Sequence, residues 1–307
     1  MSFTAKFALA LGAGLIAAVI VAPIAAVAVA SAGWRYPFPR IFDRTVMATL
    51  LLAMLLAARQ LKFVELLRAG FAHPVRESAS RAIRGLIVAF CALAILFALA
   101  LQVSGSGISN FSAVESRIPG YILSAIAIAI IEEGFFRAFL LGGMRDDFGD
   151  RGALLASAAI YSVAHLVRSP AHFYITGYEP AAGIMNLAHS LDQISHPATA
   201  IPTLIGLFLL GLVLGKAFLV TKSVYFSMGL HAGFVLGAKL WPKLVLARGA
   251  LPWWIAGAGP IPLIAGASAW AIAIIILILI RPLTGHPTIR WRITTTLGKA
   301  LLRRRKT

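Results

Sequence analysis

Apolar runs of about 20 residues recur along this chain, and each is long enough to cross a hydrocarbon core roughly 30 Å thick. Backbone groups inside lipid must satisfy their own hydrogen bonds, so such runs are read as helices. The alternating pattern of a membrane barrel is absent. Only 13% of the residues are charged and 60% are hydrophobic, with a mean hydropathy of +0.87. Soluble domains carry about 25% charged residues. The sequence therefore predicts an all-α, polytopic transmembrane bundle of about eight helices, over residues 7–30, 46–66, 83–103, 118–143, 152–168, 201–219, 223–240 and 259–280. Residues 1–307 read as a single integral membrane domain without internal repeats. The first run is longer than the 7–15-residue core of a cleavable signal and is expected to be a retained helix.

A net charge of +17 would point to nucleic acid in a soluble protein. In a membrane protein the first question is on which side the basic residues lie. Placing both termini in the cytoplasm collects most Lys and Arg on that side, and the long opposite loop from Ser169 to Ala200 contains neither. The basic tail over residues 281–307 then has an orienting and lipid-contacting role, and no nucleic-acid partner is expected. Helices rich in Ala and Gly beside an arginine-rich tail point to a bacterial inner membrane. The single cysteine, Cys91, excludes an internal disulfide and a multi-thiolate metal site.

Glu132 and Glu133 are the acidic residues that fall inside an apolar span, and Arg137 lies one turn on. Each charge at mid-membrane costs about 2.5–3.5 kcal/mol, so the cluster needs compensation or a use. Residues four apart share a helix face, so Glu133 and Arg137 can pair while Glu132 is turned about 100° away. A carboxylate left without its own cation suits a general base that activates water. Glu132 is the candidate base, with Glu133 and Arg137 orienting it and balancing charge. A buried ion pair that merely joins helices is the plainer alternative.

Of the histidines, His165 and His231 fall within expected spans, where polar side chains face an interior cavity. They are expected to share one site with Glu132. Two histidines and a carboxylate also make a zinc set with water as fourth ligand. The His-Glu-x-x-His signature is missing, however, and histidines can instead donate to a developing oxyanion. A site without metal or other cofactor is favoured; if a divalent metal such as zinc is bound, Glu132, His165 and His231 are its expected ligands. The spacing of Asn186, His189, Asp192 and His196 could also hold a metal, but these residues are read as solvated loop.

Glu132-Glu133-Gly-Phe-Phe-Arg137, Tyr161-Ser-Val-Ala-His165 and Gly229-Leu-His231-Ala-Gly together resemble the three ordered motifs of the CAAX-protease and bacteriocin-processing family, which includes the type II CAAX prenyl proteases. The resemblance covers about residues 118–240. It implies a glutamate-dependent intramembrane endopeptidase in which Glu132 activates water, His165 assists, and His231 helps to stabilise the tetrahedral intermediate. Tyr161 and the Glu133–Arg137 pair would support them. The implied partners are a membrane-anchored peptide or protein substrate and the lipid bilayer. Two departures stand out: Tyr161 replaces the commoner phenylalanine, and Val235 replaces an expected asparagine. Valine cannot donate a hydrogen bond, and losing one oxyanion donor costs about 10²–10³ in rate. The alternative is therefore a non-catalytic membrane partner of the same fold, with an immunity or assembly role. A proton-coupled transporter is disfavoured because paired halves with matching broken helices are lacking.

Overall fold

In the computed structural model, an all-α membrane bundle, the described residues form ten helices of eight residues or more, with a π-helical segment spliced between two of them. The structure describes residues 1–104, 107–108, 112–167, 169, 172–175, 177–246, 251–257 and 263–285. The elements are α1 (Phe3–Ser31), α2 (Phe38–Leu56), α3 (Phe63–Phe71), α4 (Val75–Ser104), α5 (Ser112–Glu115) and α6 (Ile118–Glu133). The π segment (Gly134–Leu141) leads into α7 (Gly142–Ala164), α8 (Ala182–His189), α9 (Pro197–Thr221), α10 (Tyr225–Leu244), α11 (Trp253–Ala256) and α12 (Ala267–Leu283). Among the described residues, the sole sheet is a two-residue antiparallel pairing of Gly107–Ile108 with Val245–Leu246. Phe3–Ser31, Val75–Val103 and Pro197–Thr221 are long and apolar enough to cross a membrane by length and composition.

Several bounds differ from expectation for local reasons. The second helix occupies Phe38–Leu56 rather than 46–66, because Pro37 and Pro39 sit at its start, where a missing amide hydrogen costs nothing. Arg40 and Arg44 are therefore helical. Residues 58–85 hold a turn, the short α3 and the first turns of α4. The fourth span is helical, but its second half adopts π geometry, which no sequence pattern announced. α7 bends at Gly149, whose φ of 66° is a conformation glycine reaches without steric cost. Of the basic tail, residues 286–307 lie outside the described residues, as does Arg168.

α4 and α10 form the closest pair. Gly229, Gly233 and Gly237 recur every fourth residue of α10 and present a flat face to Ala82, Ala89 and Leu93 of α4. A Cβ added at Gly229 would lie 1.8 Å from the Ala82 carbonyl oxygen, and one at Gly85 would lie 2.1 Å from that of Phe226. The two backbones are thus in contact, as small residues four apart allow in membranes. His231 follows Gly229 by two residues, so this contact fixes its depth.

The start of α1 is fastened from a distance. Asp147 accepts hydrogen bonds from the Thr4 hydroxyl (2.6 Å) and from the amides of Thr4 (2.7 Å) and Phe3 (3.3 Å). It thereby satisfies donors that a helix start leaves open. These bonds, the Thr4 hydroxyl foremost, hold the Asp147 carboxyl below the usual carboxylate range. A carboxyl depressed on folding stabilises fully above its unfolded value of about 3.9, and that contribution is lost as pH falls through the lower folded value. Hydrogen-exchange protection of the Phe3 and Thr4 amides is expected to be constant from about pH 7 to 5 and to collapse below about pH 4. Asp147→Asn should show weak protection at every pH. A wild-type profile as flat as that of the variant would remove the clamp.

Candidate active site

The Glu-Glu-x-x-x-Arg motif straddles the junction between α6 and the π segment, since Glu132 and Glu133 close α6 and Arg137 lies within the segment. Glu133 is fully buried and Arg137 is 2% exposed; Glu133 Oε2 stands 3.3 Å from Arg137 Nε. The expected i,i+4 pair is therefore present. The guanidinium also lies 4.5 Å from the centre of the Tyr161 ring, over its face, and 5.7 Å from that of Phe136. Both contacts favour a desolvated cation. Tyr161 in turn stacks obliquely on His165, with ring centres 4.3 Å apart. The aromatic residue one turn before the histidine thus bridges the arginine and the imidazole.

His165 does not sit inside its helix, as expected, but is the residue that ends α7. Its Nδ1 lies 2.8 Å from the Tyr161 carbonyl oxygen. A carbonyl only accepts, so Nδ1 carries the hydrogen and Nε2 is the atom left to face the site. That Nε2 lies 3.5 Å from Glu132 Oε2. His231, 3% exposed on α10, arrives from the opposite side, with its Nε2 3.8 Å from the same carboxylate oxygen. The histidines and Glu132 therefore meet, as the sequence predicts.

One link was not foreseen. Glu133 was expected to orient Glu132, yet its Oε1 lies 2.9 Å from His231 Nδ1. Glu133 bridges Arg137 on its own helix and His231 on α10, and His231 spans both carboxylates. This bond joins residues 98 apart in sequence, beyond the reach of any local spacing rule.

Glu132, Tyr161, His165 and His231 form the polar end of a cavity of about 280 Å³ between α4, α6, α7, α9, α10 and α12. Its remaining walls are apolar and include Leu96, Leu210, Phe234, Trp270 and Ile276. One water occupies about 30 Å³ of liquid, so there is space for water and a peptide group. Among the described residues Glu132 Oε2, though buried and flanked by both imidazoles, makes no hydrogen bond, which leaves it an acceptor at this end of the cavity. Val235 also lines the cavity, one turn past His231. At the position where an amide donor was expected, the wall is hydrocarbon.

Residues 114–237 match the model of the type II CAAX prenyl endopeptidase Rce1-like family. The match spans less than half of the chain and covers the segment that carries the site, which is similar to that family. No curated protein and no solved structure matches the chain. The Rce1-like segment contains all three motifs, from Glu132 to His231, and its family is one of proteases. The family and the apolar helices together make this an integral membrane protein.

As to metal, no group of three or more His, Cys, Asp or Glu side chains among the described residues is arranged to hold an ion. The second candidate cluster does not assemble either: His189 Nδ1 pairs with Asp192 at 3.1 Å, His196 Nδ1 bonds the Asp192 backbone carbonyl at 2.8 Å, and Asn186 is buried within α8.

Proposed function

We propose that this protein is an intramembrane endopeptidase that hydrolyses a peptide bond in a membrane-anchored peptide or protein. Glu132 is the general base, His165 assists it, and His231 stabilises the tetrahedral oxyanion. The observation that supports this most is the approach of both imidazole Nε2 atoms to one buried carboxylate oxygen at the end of an apolar cavity. In the reaction, Glu132 takes a proton from water as the water oxygen bonds to the scissile carbonyl carbon. The proton then passes to the departing amine as the C–N bond breaks.

The hydrogen bonds also constrain the role of His231. Its Nδ1 faces the Glu133 carboxylate, so Nε2 can donate to an oxyanion only when the ring carries both hydrogens. The negative charge of Glu133 faces that cationic ring. Glu133, Arg137 and Tyr161 are positioning residues on this reading, and no step runs through a metal. The concentration of Lys and Arg supports an orientation with both termini cytoplasmic.

Val235 favours a second reading, a non-catalytic partner of the same fold, because it takes an oxyanion donor out of the cavity wall. The deciding experiment incubates pooled membrane-anchored peptides with detergent-purified protein and reads new termini by mass spectrometry. Wild type is expected to cleave, with or without a chelator. Val235→Asn is expected to cleave faster, by up to about 10²-fold, because it restores one donor. Loss of cleavage with chelator would make Glu132, His165 and His231 metal ligands. No cleavage by wild type or by Val235→Asn would favour the non-catalytic reading.

A further inference from the structure

A second concavity lies far from the peptidase motifs, on the outer face of the bundle between α1 and α2. Its volume is about 640 Å³. Val21, Ala25 and Val29 of α1 face Ala48 and Leu52 of α2 and give it hydrocarbon walls. Thr45 and Thr49 also line it, but their hydroxyls donate to carbonyls of their own helix and offer no free donor. At the end near the α1–α2 turn the character changes abruptly, with Trp34, Tyr36, Arg40 and Arg44 closing the groove.

These four residues have the chemistry of a membrane interface, where aromatic rings sit at headgroup level and arginines reach toward phosphate. Arg40 lies 5.2 Å from the centre of the Tyr36 ring, over its face. Arg44 donates to the thioether of Met47 at 3.5 Å, a weak acceptor for a guanidinium. Among the described residues neither arginine makes an ion pair, and Asp43 is not part of the groove wall. From Arg40 to Leu52 the helix advances about 18 Å, at 1.5 Å per residue. That length suits one acyl chain below a headgroup.

We propose that this groove binds one phospholipid with a negatively charged headgroup. The headgroup phosphate sits between Arg40 and Arg44, the glycerol region lies against Tyr36 and Trp34, and an acyl chain runs along Ala25, Ala48 and Leu52. Two guanidinium groups at one end of the groove select an anionic lipid over a zwitterionic one, and the apolar walls select a lipid over a soluble phosphate. A second copy of the chain or a peptide would leave the two guanidinium groups without matching charge.

The test is native mass spectrometry of the full chain released from detergent in an equimolar mixture of phosphatidylglycerol and phosphatidylcholine with identical acyl chains. Wild type is expected to retain phosphatidylglycerol preferentially in its tightest site, and soluble glycerophosphoglycerol should not displace it. Arg40→Gln with Arg44→Gln is expected to cut the preference about tenfold or more. Ala48→Phe, which fills the groove and leaves both charges in place, should lower occupancy by either lipid. Equal retention of the two lipids by wild type overturns the proposal, as does an undiminished preference in the double arginine variant or an undiminished lipid occupancy in Ala48→Phe. Displacement by the soluble headgroup would reassign the site to a free phosphate ester. Ala48→Phe keeps the test decisive even if the double variant fails to fold.

Discussion

Replacing Glu132 by glutamine is expected to reduce peptide cleavage at least about 10³-fold while leaving the unfolding transition close to that of wild type. Glutamine matches glutamate in size and still offers a carbonyl oxygen, but it cannot take a proton from water. General-base catalysis is worth about 10²–10⁴. The fold has little to lose, because the Glu132 side chain is 26% exposed to its cavity and Oε2 makes no hydrogen bond within the protein. The measurement is initial cleavage rate beside thermal unfolding in the same detergent. A variant that retains cleavage within tenfold of wild type would sink the assignment of Glu132 as base.

The neighbouring glutamate should behave in the opposite way. Glu133→Gln is expected to destabilise the protein by about 3–5 kcal/mol, since it leaves the Arg137 guanidinium buried without a carboxylate. The change also weakens the tie to His231, so cleavage falls too, and activity alone would not separate the two residues. Denaturant unfolding in mixed micelles does separate them. Adding Arg137→Met to Glu133→Gln should recover part of the lost stability, because the uncompensated charge goes with it. Equal stability losses for Glu132→Gln and Glu133→Gln would mean that the pair has been misread as structural. The contrast tests whether two adjacent carboxylates have distinct tasks.

The apolar runs made the all-helical membrane bundle legible, because solvent chemistry alone dictates that result. The convergence of Glu132, His165 and His231 was legible for a related reason: polar groups at membrane depth have few places to go except an interior cavity. Helix limits were harder. The apolar run starts only at residue 46, whereas the prolines at 37 and 39 mark the actual start of α2, which takes in Arg40 and Arg44. The π geometry of Gly134–Leu141 leaves no trace in its side-chain pattern and depends on packing around the motif.

The Glu133–His231 bond could not be seen in spacing, since it depends on which face α10 turns toward α6. A signal for that face did exist. Gly229, Gly233 and Gly237 recur at intervals of four and mark the side of α10 that lies against α4, which constrains where His231 points. Val235 follows His231 at the same interval, and the structure puts it in the cavity wall where that spacing implies.

The Glu133–Arg137 pair has a consequence for biogenesis. Ribosomes deliver the chain from its N-terminus, so α6 and the π segment reach the membrane before residue 231 has been made and before the helix that ends at residue 165 can dock beside them. His165 and His231 cannot help to admit Glu132, Glu133 and Arg137 into lipid. The ion pair can, because both its members lie within about one turn of the same segment and arrive together. The costliest stretch of the protein thus brings its own counter-charge through insertion, and the later helices dock their imidazoles on a segment that is already in place.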